Sequence, residues 1–207
     1  MYYLEAYNNL SSLRTAASLV DEKVLTTLYG TVRQFFLDNA AHKDYGIALL
    51  HKHFDIGKGE RIVEYGHTST PWKVGQEERD VLPQYAGHIV PRSFRLHQGA
   101  ATAYEFAYST TGTPSSESSF VTDGLEMLKN LGLDQIFGLR LLGDHNPHLS
   151  VEVTEGKANI MLSLEGIPPT ELIEALYVFN DNDNDRCHCR EHCWPVKDGH
   201  DKDHSCG

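Results

Sequence analysis

The apolar positions change period along the chain. Val24, Leu25, Leu28, Val32, Phe35 and Phe36 recur at helical spacing, so they share one face. Asp21 stands before them as an N-cap with Glu22 in the first turn, which predicts a helix over about 22–40. A shorter helix is expected around Leu10 to Val20. From Tyr45 the pattern turns to strands, at 46–54 and 60–65, joined by the turn residues Asp55-Ile56-Gly57-Lys58-Gly59. A loop containing Pro71 and Trp72 follows. Strands 88–96 and 101–108 meet near Gly99, with Pro91 marking an edge or a bulge. After the low-complexity loop 109–119, a helix runs from Phe120 to Leu131 and stops at Gly132.

Gln135 to Leu142 reads as a buried strand. Segments 149–154 and 158–164 alternate around Glu155-Gly156-Lys157 as a hairpin. Pro168 and Pro169 open a last expected helix running to about Phe179. The strands and helices do not follow strict β-α-β order. The expected fold is therefore α+β: a mostly antiparallel sheet with two or three helices packed on it, plus a Cys/His-rich C-terminal appendage. The globular domain is expected over 1–179, and a metal-binding tail over 180–207 beyond the polar hinge NDNDND.

Charge narrows the choice of partner. The chain has 207 residues, 18 Lys and Arg against 29 Asp and Glu, and a net charge of −11. Nucleic acid is not expected, because its binding needs clustered cations to displace counterions. An anionic membrane surface is not expected either, for the same sign of charge. No secretory leader and no run long enough to span a bilayer is visible, so the expected location is cytoplasmic or nuclear. In those compartments clustered thiols point to metal or redox chemistry.

Cysteine and histidine carry the chemistry. All four cysteines fall in the last 21 residues, in the stretch CHCREHCWPVKDGHDKDHSC. That stretch has too little apolar surface to fold by burial alone, whereas metal-binding energy can order it. Zinc needs four N or S donors. The expected set is Cys187, Cys189 and Cys193 with His200, His204 or Cys206. A disordered tail with loose metal affinity, two disulfides, and a redox or Cu(I) site stay open as alternatives. The Asp181 to Asp185 run matches early calcium-loop positions, but Arg186 stands where the loop needs Gly.

His51 and His53 are the second signal. On a strand, positions two apart share a face, so both imidazoles can reach one metal. A third ligand from Glu60, His67 or His145 would complete a catalytic zinc or iron site. The spacing Gly46-x4-His51-x-His53-x6-Glu60-x5-Gly66 resembles the first cupin motif, in which two His and one Glu hold a metal inside a small β-barrel. It departs in its gap lengths, the chain carries substantial helix, and the second cupin motif is absent. Asp144 to His148 reads as a turn. No phosphate loop, nucleophile elbow or H-E-x-x-H motif is present.

Three functions follow: a zinc-binding protein whose tail is structural or docks a partner, a metal-dependent enzyme using a second metal at His51 and His53, and a small-ligand binding module with a metal-free tail.

Overall fold

The computed structural model describes residues 4–73, 87–110, 119–143, 150–163, 172–181 and 187–193, with only the backbone at 163 and 187–191. Asp21 caps the N-terminal helical run as expected, with its Oδ1 accepting from Val24 N at 2.8 Å. That run comprises α3 (Glu22–Thr27), a π-helical turn (Leu28–Val32) and α4 (Arg33–Asp38). Two short helices, α1 (Leu4–Asn8) and α2 (Leu13–Ala17), precede it, and α5 (Ser119–Asn130) lies between strands.

The strands are β1 (Tyr45–Leu49), β2 (Glu60–Tyr65), β3 (Thr68–Lys73), β4 (His88–His97), β5 (Ala100–Ser109), β6 (Phe137–Leu141), β7 (Ser150–Glu155), β8 (Ala158–Ser163), β9 (Ile173–Phe179) and β10 (Cys187–Cys193). They close into a barrel in the order β1-β6-β4-β5-β2-β3-β8-β7-β10-β9. The β2–β5 and β7–β10 pairs are parallel, and the other pairs are antiparallel.

The closed barrel corrects the expected α+β sheet with packed helices. Three strands account for the difference. Residues 173–179 form β9, not a helix. In β9, Ala175, Tyr177 and Phe179 face the main core, while Leu176 and Val178 pack on Ala48. A strand buried on both faces reads as a continuous apolar run, which periodicity cannot separate from a buried helix. Residues 68–73, expected as loop, form β3 and carry Pro71 within the strand. Finally, Cys187–Cys193 is a barrel strand, hydrogen-bonded to β9 and β7. Its polar sequence hid it.

Besides the small Ala48-Leu176-Val178 cluster, two larger apolar cores hold the barrel. Outside it, Ile47, Leu49, Phe94, Leu139 and Tyr177 pack against Leu28, Val32, Phe36 and Leu125 of the helices. At one mouth, Ala6 and Tyr7 of α1 pack on Leu50, Ile56, Ile62 and Tyr104. The register puts Arg140, Ser93 and Glu105 side by side across β6, β4 and β5. Polar side chains therefore line the interior beneath the apolar plug.

Candidate metal centre

β1 ends at Leu49, and the chain then leaves the sheet. Two bonds pin the departing segment: Leu50 N to Ile136 O at 2.8 Å and Lys52 N to Ser11 O at 3.0 Å. His51 and His53 thus lie just beyond a strand, not on one. The expectation of a shared strand face fails in form, yet both imidazoles are buried and lie 4.7 Å apart by ring centroid.

The His51 ring and the His53 backbone are each held by a neighbour. His51 Nδ1 lies 2.9 Å from Leu49 O. A carbonyl only accepts, so Nδ1 is the donor in this contact, and in a neutral ring Nε2 is then the nitrogen able to bind a metal. The backbone N–H of His53 donates to Tyr7 Oη at 3.1 Å. This bond ties the backbone at His53 to the plug helix.

Two strands beyond β9 in the barrel order, β10 and β7, supply the remaining donors. On β7, Glu152 Oε2 lies 3.5 Å from His53 Nε2. At the end of β10, Cys193 Sγ lies 3.4 Å from Glu152 Oε2 and 3.5 Å from His51 Nε2. One ligand atom from each of His51, His53 and Glu152 lies within 4.8 Å of the others, and all three residues are buried. Metal–ligand bonds of roughly 2.0–2.3 Å in a tetrahedron give edges of about 3.3–3.6 Å. His53 Nε2 and Glu152 Oε2, 3.5 Å apart, have that spacing, as do the two contacts of Cys193 Sγ, whereas the His51, His53 and Glu152 atoms taken together span up to 4.8 Å.

Around this group runs a chain of charges. Glu105 Oε2 accepts from Ser93 Oγ at 2.7 Å and from Arg140 Nη1 at 3.2 Å, while its Oε1 faces His53 Nε2 at 4.0 Å. Arg140 Nη2 donates to Glu64 Oε2 at 3.1 Å, and Glu64 also pairs with Arg92. A small cavity between these groups is lined by Glu64, Ser69, Arg92, Glu105, Arg140, Glu152 and Asn159, with Ile62 and Phe106 as its apolar side.

The expected ligands divide cleanly. His51, His53 and Cys193 come together, joining one residue of the tail signal to the His-x-His signal. Cys187 and Cys189 are placed by backbone alone, and His200, His204, Cys206 and His145 lie outside the described residues. Glu60 does not join the site: its Oε2 accepts from Gly57 N at 2.7 Å and lies 3.7 Å from Lys157 Nζ. His67 sits in the β2–β3 turn, at the opposite end of β2 from the segment that carries the histidines.

Glu152 was missed from sequence. In Val151-Glu152-Val153-Thr154 the alternation reads only as a hairpin strand. Here Glu152 and Thr154 are buried, together with Asn159. The signal was there, since alternation marks two faces, but it does not say which face water touches.

No protein-family model, curated protein or solved structure matches the chain. The geometry of the site therefore carries the functional reading. No described helix is long and apolar enough to cross a membrane.

Proposed function

We propose that the barrel is a metal-dependent enzyme whose His51, His53 and Glu152 hold one divalent transition-metal ion, with zinc as the first expectation. The supporting observation is the convergence of three buried ligand atoms beside a polar cavity that Glu152 itself lines. The buried Glu152 carboxylate lies against the His53 imidazole and the Cys193 thiol, a place where a cation would be stabilised. Imidazole and carboxylate donors suit zinc or ferrous iron. A three-ligand site leaves a position for water or substrate, where the ion acts as a Lewis acid.

Cys193 favours a second reading. Its sulfur touches two of the three ligands, so a closed four-donor zinc site would be structural. Metal analysis of full-length protein separates the readings. The enzyme reading expects about one ion per chain, lost in His51→Ala and kept in Cys193→Ser. Loss of the ion in Cys193→Ser favours the structural site. Full-length protein that takes up neither zinc, cobalt nor iron defeats both.

A further inference from the structure

Asn159 offers a donor that the protein leaves unused. It is 1 % exposed, sits on β8 opposite Thr154 of β7, and lines the same cavity as Glu152. Its Oδ1 accepts from Thr154 Oγ1 at 2.8 Å. Its Nδ2 has no hydrogen-bond partner among the described residues. A buried amide N–H without an acceptor is costly, so an acceptor in the cavity would be held firmly.

The charge of the cavity says what kind of acceptor. Glu64, Glu105 and Glu152 face Arg92 and Arg140, which leaves one excess negative charge. A divalent ion on Glu152 reverses it to one excess positive charge. The metal-free cavity thus repels an anion and the loaded cavity attracts one. Glu64 and Glu105 are already paired with the two arginines, so they stay in place when a ligand enters.

We propose that the metal-loaded cavity binds a small monocarboxylate, with one oxygen at the open metal position and the other accepting from Asn159 Nδ2. This rests on the three-ligand reading of the metal site. The small size of the cavity restricts the ligand to the smallest acids, formate first. Asn159 is then a binding residue for the organic acid on which the enzyme acts, or for the acid it releases.

The test uses full-length protein loaded with cobalt(II), titrated with formate and followed by its visible absorption. A saturable spectral change is expected. Asn159→Asp keeps the shape, removes the donor and adds a negative charge, so it should abolish the response. Asn159→Ala should weaken it about tenfold or more. Formate should also raise the melting temperature of zinc-loaded wild-type protein and leave the metal-free protein unchanged, a comparison that needs no variant. Cobalt bound with a spectrum indifferent to formate overturns the carboxylate site and spares the metal site. Failure to bind cobalt overturns both. A formate response that is unchanged in folded, cobalt-loaded Asn159 variants also overturns the inference.

Discussion

Cys193 Sγ lies 3.5 Å from Nε2 of His51, a residue 142 positions earlier in the chain. β10, which carries Cys193, pairs with β9 on one side and β7 on the other. β9 in turn pairs with β1, which leads into His51. The same strands that close the barrel therefore assemble the candidate ligands. A metal held by these residues would couple its own binding to closure of the barrel.

A ligand that binds only the folded state stabilises it by mass action, by about 4 kcal/mol at a thousandfold excess over the dissociation constant. Zinc should therefore raise the melting temperature, and a chelator should reverse the rise. Glu152→Gln removes the charged donor of the group. Its metal affinity should fall by more than the roughly 10–100-fold that outer-shell changes cost. A thermal melt with and without zinc reads both effects. An equal zinc shift in wild type and Glu152→Gln would show that the ion sits elsewhere.

Arg140 bridges Glu64 and Glu105, and all three side chains are nearly buried. Arg140→Met leaves two carboxylates without their shared cation. Removing one partner of a buried pair costs about 3–5 kcal/mol. Urea unfolding should show a loss of that order, and adding Glu105→Gln to Arg140→Met should recover part of it. A single variant as stable as wild type would mean that the network contributes nothing to folding.

Much of this architecture was legible one element at a time. The Asp21 cap, the β4–β5 and β7–β8 hairpins and the α5 helix follow from local period and turn chemistry. The bulge near Pro91 is real: the β4–β5 register shifts between Pro91 and Ser93. The closure was not legible. It depends on β9 and β10, one apolar on both faces and the other rich in Cys and His, and neither shows the alternation of a half-buried strand. The site was half legible for the same reason. His51, His53 and Cys193 carry distinctive side chains, but only the register of β7 shows that Glu152 faces inward. The cupin-like spacing pointed to Glu60, whose carboxylate is engaged by the Gly57 turn.

Gly138 marks a tight point in that closure. It pairs with Ala48 on β1, and a Cβ built there would lie 2.4 Å from Phe94 O and 3.0 Å from Leu50 Cδ2. The first of these is backbone and cannot rotate away. Gly138→Ala should therefore force β6 and β4 apart and destabilise the fold by about 1–3 kcal/mol, the usual cost of overpacking. Chemical denaturation checks this. A neutral effect would mean that the two strands separate freely, which the closed order excludes.

Tyr104 predicts how the fold responds to alkali. Burial, and then the nearby Glu105 carboxylate, push its phenol well above the ordinary tyrosine range. Tyr7 is shifted in the same direction, again chiefly by burial. The folded state therefore keeps both phenols neutral, while the unfolded chain ionises them near pH 10 (about the free value). Their contribution to stability is complete below that pH and is lost as pH rises through and beyond it. Each phenol should steepen the loss by about 1.4 kcal/mol per pH unit. Tyr104→Phe should remove one such increment above about pH 10, and below it should differ from wild type by a constant offset. Urea midpoints measured across this range decide the matter: identical alkaline slopes in the two proteins would show that Tyr104 ionises as easily folded as unfolded.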